Sequence, residues 1–471
     1  MMLKPADPAL AAADELRSAM RGKVVLPGDD SYNDAQQIWN SAIDYRPALF
    51  AICETRNDVK AAIRIARARG LRLSVRGGGY DWAARAMQHD GLVIDLSAMR
   101  QVRVNALART ATIAGGARAR DVIAAAAPHG LAAVTGNCGS AGMAGLTLGG
   151  GYGPLSPRFG LASDNLLGAE VVLGDGRCIT VDALEHPDLF WALRGGGGNF
   201  GVVTSMRIRL HPVRELLAGL IMFPWSEAET VLRRYAWIAG SAPDDLAMTL
   251  GVLSGPDRVP LLFMVPVWSG NPEHGKPYMD RLTRLGSPTM VRMGATTYRD
   301  LLEMFDREVV DGRRYALQTR WLPELSNNVI SSLIAAGSKR TARFAMIALQ
   351  HFHGLPTRIP ASASAFGMRQ EHFLLQAVAA WEPGDADSDT HRAWARHLSR
   401  VLAPAALPGG YANFLGPDND DEIALSYGSN TERLQQVKRR FDPANVFSSI
   451  PVPQEIDVTA TNSDRVVSLR S

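Results

Sequence analysis

Cysteine is scarce: 471 residues carry three, Cys53, Cys138 and Cys178, an odd number that argues against a disulfide scaffold. Long apolar runs are missing as well. No stretch approaches the roughly 20 apolar residues of a membrane span. The opening MMLKPADPALAAADELRSAMRG mixes charges every few residues and has no apolar signal core. These absences predict a cytoplasmic protein with no membrane partner. Lys and Arg (50) barely exceed Asp and Glu (47), for a net charge of +3, and no five like charges fall together. A nucleic-acid face or a polybasic anchor is therefore not expected. The GxxxxGK[ST] phosphate loop, the GxSxG elbow and the HExxH metal motif are also absent.

Glycine, by contrast, is concentrated. Of 44 glycines, 24 lie between Gly77 and Gly201. Glycine loses the most entropy on ordering and is kept where backbone needs positive φ or close approach. These glycines alternate with apolar runs instead of serine, unlike a flexible linker. The remaining composition is ordinary for a globular chain, 46% apolar and 21% charged, and the length suits two to three compact units.

Hydrophobic periodicity divides the chain. Ala48–Ile52 reads as a buried strand, and Thr55 with Asp58 as the start of a helix ending at Gly70. LRLSV (71–75), LVIDL (92–96) and ATIAGG (111–116) read as strands, and 119–129 as a helix. LLGAEVVLGDGRCITV (166–181) reads as a hairpin turning at Gly174-Asp-Gly176. After a short helix and a glycine loop, Val202, Thr204, Met206, Ile208 and Leu210 are expected to share one strand face. Beyond Val213 glycine thins out. LAMTLGVL, PLLFMVPVW, FAMIALQHF and HFLLQAVAAW are strand-like runs, with helices near 226–238, 323–336 and 389–402. That pattern predicts an α+β unit with an antiparallel sheet. A last helix near 429–440 stops at Asp442-Pro443.

Three glycine clusters, 77–79, 149–153 and 195–201, each adjoin a strand end, where backbone N–H groups form anion-binding concavities. None matches G-x-G-x-x-G in its strand–turn–helix setting, so a phosphate-bearing ligand is expected, but not on a Rossmann loop. VRGGGYDWAARA (75–86), GLVIDLSAM (91–99), the long segment 134–176 and PDLFWALRGGGGNFGVVT (187–204) resemble the FAD-binding domain of berberine-bridge-enzyme-like FAD-linked oxidases, of the vanillyl-alcohol-oxidase (PCMH) type. YANF (411–414) and NTERLQQVKRRFDPANVF (430–447) resemble that family's closing segment. The resemblance runs over nearly the whole chain. It implies a two-domain α+β fold: an FAD domain from 1–213 and 412–471, and a substrate domain at 214–411.

Position by position, the resemblance implies that Arg76, Gly77, Gly78, Gly79, Tyr80 and Asp81 wrap the FAD pyrophosphate. Gly136, Cys138, Gly139 and Gly142 would run along the flavin, and Asp164, Asn165, Gly168, Val203, Asn413 and Asn445 would supply further contacts. The family pattern R-[SG]-G-G-H carries a histidine bonded to the flavin 8α-methyl; here that position is Tyr80. Cys138 stands where some members bond flavin C6. The flavin is thus expected to be attached through Cys138 only, or not at all, a tyrosyl ether being chemically conceivable. Cys53 and Cys178 read as core.

For the chemistry, Tyr411 and Gln376 occupy positions where relatives keep a catalytic tyrosine and its polar companion. A base there would need its pKa lowered by neighbours. Tyr152, in GGGYG, is expected to line the substrate pocket. His351 and His353 alternate about Phe352 and are also candidate pocket residues; no third ligand is spaced for a metal. His372 and Arg369 read as surface or hinge residues. Ala141, where relatives gate oxygen by side-chain size, would leave O₂ access open. The expected activity is hydride transfer from a C–H of a small or medium natural product, sugar or alcohol to flavin N5, with O₂ as acceptor, in a monomer or homodimer. A net non-redox cyclisation or isomerisation on the same cofactor is the alternative, and a cofactor-binding protein without turnover a third reading.

Overall fold

Strand-forming runs sort into separate sheets according to what each face can bury. The computed structural model describes residues 7–453 apart from 214, 256 and 308. A four-stranded sheet holds β1 (Lys23–Val25), β2 (Leu49–Ile52), β3 (Leu73–Arg76) and β4 (Leu92–Asp95) in the order β1-β2-β4-β3, with β2, β4 and β3 parallel. Parallel neighbours need a crossover, and the helix Arg56–Ala68 supplies it. Thr55 accepts from the Asp58 N–H while Asp58 accepts from the Thr55 N–H, a capping box. The helix stops before Gly70, whose φ of +68° suits glycine alone at low cost. Its apolar face packs Val59, Ile63 and Ala66 against Leu49, Leu92 and Ile94, and Cys53 lies buried in the same core.

A second sheet combines β5 (Val102–Asn105), β6 (Thr110–Ala114), β8 (Leu166–Val172), β9 (Cys178–Val181) and β10 (Val202–Arg209) in the order β5-β6-β10-β8-β9. A short pair joins β7 (Leu131–Ala132) to β11 (His211–Pro212). The expected single face of β10 is broken. The register slips between Val203 and Ser205, so Val203, Met206, Ile208 and Leu210 share one core while Val202 packs into the other. One extra residue at a bulge re-aims every side chain beyond it.

The third sheet has seven antiparallel strands: β12 (Leu216–Pro224), β13 (Leu246–Ser254), β14 (Pro260–Trp268), β15 (Met290–Thr296), β16 (Arg314–Leu322), β17 (Met346–Phe352) and β18 (His372–Trp381), ordered β15-β12-β14-β13-β17-β18-β16. Alternation along β18 assigns its two faces. Phe373, Leu375, Ala377, Ala379 and Trp381 join a core with Val329, Leu333, Trp394 and Leu398 of the helices Asn327–Ser338 and Ser388–Leu402. Leu374 points the other way, into a small cluster with Trp321, Phe352, Tyr152 and Tyr411. Burying a large apolar side chain stabilises by about 1.5–3 kcal/mol, so a one-residue slip of β18 would forfeit both cores. Gln376, two residues on, is held on the same face as Leu374. The architecture is α+β, and the glycine-rich part of the chain packs on the sheet face that the helices leave.

Candidate active site

The first glycine loop leaves β3 at Arg76, whose side chain turns away from it. The guanidinium is ion-paired with buried Asp95 and donates to the carbonyls of Ala35 and Gln37, while its buried Nε has no hydrogen-bond partner. Among the described residues no protein group accepts from the backbone N–H of Gly77, Gly78, Gly79 or Tyr80. Nor does any accept from those of Gly136, Asn137, Cys138 or Gly139. The two loops abut: a Cβ on Gly78 would lie 2.5 Å from the Gly142 nitrogen and Cα. A groove of about 910 Å³ runs along Gly77–Tyr80 and Ser140, flanked by Arg118 and Arg120. Burial and repulsion from Arg120 and Arg100 lower the Arg118 pKa, against the pull of Asp121 and Asp311. Free N–H groups converging beside crowded cations fit a dianionic diphosphate, as the pyrophosphate of FAD is.

Other predicted cofactor positions have protein partners. The Asp81 carboxylate is taken by Arg85, which also donates to the carbonyls of Ala412 (3.3 Å) and Asn413 (3.1 Å). Asp164 forms a bidentate pair with Arg369 at 2.8 and 2.9 Å and accepts from the Leu161 N–H. Asn165 donates to the carbonyls of Phe159 and Leu161, and its own oxygen meets His211. Gly168 sits inside β8, where a Cβ would approach the Val181 carbonyl, and Val203 is a core residue of β10. Asn445 holds φ of +47° in the turn after Asp442.

At the tether position, Tyr80 stacks on Trp39 with ring centroids 5.2 Å apart. Its hydroxyl lies near the Cys138 thiol and Ser140, which act on its pKa in opposite directions. Ser140 in turn donates to Asp306, Oγ to Oδ1, at 3.1 Å. Tyr80 and Cys138 are both half-buried. Desolvation raises the Tyr80 pKa and pushes the Cys138 thiol up to about 11, which its neighbour Tyr80 only partly offsets. Cys138 is a protonated thiol at neutral pH.

Tyr411 and Tyr152 meet edge to face, centroids 4.8 Å apart, beneath Phe366. The Tyr411 oxygen accepts from the Gly151 N–H at 3.0 Å and from the Asn413 amide at 2.9 Å. Those donors favour a phenolate, yet burial outweighs them and the pKa is pushed up to about 12. The lowered pKa expected of a base is thus not found on Tyr411. Gln376 lies opposite Ala348 and Thr319 on the same sheet face and has no hydrogen bond to either tyrosine among the described residues. A tight crevice of about 10 Å³ beside the tyrosines, room for about one water, is lined by Asn137, Tyr152, Thr249, Gln350 and Phe352, and the Asn137 amide donates to Gln350 at 3.3 Å. The second glycine loop therefore reaches the face that carries Gln376.

His351 and His353 border the crevice, with their rings on the helix side of the sheet. His351 stacks on Phe373, its register partner, and bonds Glu371 at 3.0 Å, while His353 bonds the Leu246 carbonyl. Their imidazoles are held by structure, and Gln350 and Phe352 present the alternate face instead. His372 and Arg369 are not surface residues: His372 is fully buried, and Arg369 is 6% exposed and neutralised by Asp164. The signal for His372 was present, since it opens HFLLQAVAAW with the same parity as Leu374 and Gln376. Trp321 and Trp39 carried no motif and were missed. Ala141 is buried, its N–H donating to the Cys138 carbonyl.

The paired glycine loops, the groove of free N–H groups and the buried tyrosines under an antiparallel sheet define an FAD-dependent oxidoreductase. Residues 47–182 match the FAD binding domain family and residues 410–450 the berberine and berberine-like family. The chain is 40% identical to an FAD-linked oxidoreductase of Aspergillus terreus, pgmH, covering 92% of this chain and 94% of that one. It is 30% identical to (R)-6-hydroxynicotine oxidase of Paenarthrobacter nicotinovorans, over 91% and 96%. The crystal structure of 6-hydroxy-D-nicotine oxidase from Arthrobacter nicotinovorans superposes with a TM-score of 0.85 at 29% identity, covering 94% of this chain and 98% of that one. The chain belongs to the berberine-bridge-enzyme-like FAD-linked oxidoreductases, and its cofactor is FAD. No helix among the described residues is long and apolar enough to cross a membrane.

Proposed function

We propose that this enzyme oxidises a small or medium organic molecule at a C–H bond next to an O–H or N–H group, with O₂ as the final acceptor. The observation that carries the reading is the junction of the two loops with the tyrosine cluster. Free N–H groups of 77–80 and 136–139 converge, and Asn137 of the second loop bonds Gln350 beside Tyr152. FAD bound there supplies a hydride acceptor and a site for O₂ reduction. The chain's own residues bind and orient. Gly77–Tyr80 and Gly136–Gly139 would hold the diphosphate by backbone donors, and Arg118 and Arg120 would neutralise it. Tyr411, with two N–H groups on its oxygen, has its own proton to give and orients the substrate heteroatom; Gln376 and Gln350 offer further polar contacts from the sheet. Phe352, Phe366 and Leu374 exclude water.

We further propose a domain boundary near Val213 and a return near Tyr411, because the seven-stranded sheet closes between them. Nothing in the geometry favours the non-redox alternative. An anaerobic screen of sugars, alcohols, amines and phenolics tests the reading. A true substrate removes the yellow flavin absorbance, and air restores it with formation of hydrogen peroxide. Product formed while the flavin stays oxidised would overturn it.

A further inference from the structure

His372 is a buried titratable group that the proposed chemistry has not yet used. It is 0% exposed, at the start of β18, stacked on Phe352 with centroids 4.5 Å apart. Its Nδ1 lies 2.7 Å from the Gln370 carbonyl, and its Nε2 lies 3.0 Å from the Tyr152 hydroxyl. A carbonyl only accepts, so Nδ1 must carry the ring proton. In the neutral imidazole Nε2 is then a bare acceptor, and the Tyr152 O–H must donate to it.

This fixes opposite polarities on two touching tyrosines. Tyr411 receives two N–H donors on its oxygen, so what it has left to offer is its proton. Tyr152 has already given its proton to His372, so what it has left is a lone pair. We propose that His372 is a positioning residue of this site: by accepting the Tyr152 O–H it leaves the Tyr152 oxygen a lone-pair acceptor, which holds the O–H or N–H of the substrate by a hydrogen bond. The inference rests on the oxidation reading above and narrows its substrates to molecules that present a hydrogen-bond donor beside the oxidised carbon.

The surroundings keep the imidazole neutral at rest. Burial, the largest effect, holds its pKa down to about 3; His351 acts in the same direction, while the Gln370 carbonyl and Glu371 oppose. Burial raises the Tyr152 pKa well above its ordinary value and the Tyr411 hydroxyl adds to this, while Arg369 acts against it from a distance. The Trp321 indole N–H lies by Tyr152 within the same cluster.

The test uses the FAD-loaded protein labelled with ¹⁵N-histidine, and the variant H372Q to assign the His372 signal. The resting enzyme should show His372 with a protonated Nδ1 and an unprotonated Nε2; a protonated Nε2 overturns the proposal without any turnover. H372Q keeps an acceptor for Tyr152, and H372L removes it. Anaerobic flavin reduction in H372L should need roughly tenfold more substrate, the worth of one oriented hydrogen bond, while H372Q stays near wild type. An unchanged KM in H372L, with FAD content and Tm preserved, contradicts the proposal and leaves a structural histidine. If H372L does not fold, Y152F reads the same loss with His372 in place. A protein whose flavin no substrate bleaches refutes the oxidation reading, while the tautomer still decides the proton arrangement.

Discussion

The Tyr80 hydroxyl and the Cys138 thiol, which stand where the resemblance puts the two flavin attachment points, lie close enough that each shifts the other's pKa. Tyr80 has no imidazole nitrogen to offer, and Cys138 has no thiolate at neutral pH. Neither side chain is prepared to attack the flavin. Acid precipitation is therefore expected to release all FAD into the supernatant, and the denatured protein to have the mass of the bare chain. An intact mass raised by one FAD contradicts this. C138A should retain its flavin; Y80H tests the converse, and a bond to the introduced imidazole would show that only the side chain was lacking.

Gly78 and Gly142 touch backbone to backbone, and a Cβ on Gly78 would lie 2.5 Å from main-chain atoms that cannot swing aside. G78A should force the loops apart by a shift costing about 1–3 kcal/mol. Because the same backbone presents the free N–H groups, the effect should appear mainly as weaker FAD binding, by roughly ten- to a hundredfold. Titration of the flavin-free protein with FAD, read by fluorescence quenching, checks this. Unchanged affinity would show that the diphosphate does not use this loop.

Arg369 and Asp164 form a buried pair, 5% and 8% exposed at the side chains. Truncating one member strands the other charge, which costs about 3–5 kcal/mol. D164A should lower Tm and the denaturation midpoint, and D164N less so. A loss of FAD affinity at unchanged stability would instead return Asp164 to the cofactor site.

Glu422 supplies a pH dependence. It is 3% exposed, and its Oε1 has no hydrogen-bond partner. Burial raises its pKa to about 7, against the opposing pull of Arg320 and Asn419. A carboxyl raised in the folded state keeps its proton there after the unfolded chain has lost it. Stability from this group is thus complete below the unfolded value of 4.5 and declines as pH rises to about 7. The total at stake is at most about 3 kcal/mol. E422Q should flatten the fall in Tm between about pH 4 and about pH 8, which brackets the window from 4.5 to about 7. An unchanged slope assigns the pH dependence to other groups.

Much of this was legible before the structure. The capping box at Thr55, the strands Pro260–Trp268 and His372–Trp381 and the glycine loops follow from spacing and turn chemistry that act locally. Strands β12, β15 and β16 and the helix Tyr298–Asp306 were passed over, because their identity depends on neighbours distant in sequence. The β10 bulge hid for a similar reason: one irregular residue resets parity without any local signal. In the site, Tyr411 and Tyr152 were visible through motifs. The orientation of His351 depended on which sheet face the helices cover, and the role of His372 on a carbonyl two residues away combined with a tyrosine 220 residues earlier.

The central claim is that a substrate C–H bond is broken as hydride within the tyrosine cluster. Stopped-flow reduction under nitrogen, comparing a substrate with its analogue deuterated at that carbon, tests it most directly. The account predicts that deuterium slows flavin bleaching several-fold, and that Y411F lowers the bleaching rate of both. Product formation with the flavin oxidised throughout and no isotope effect would contradict it.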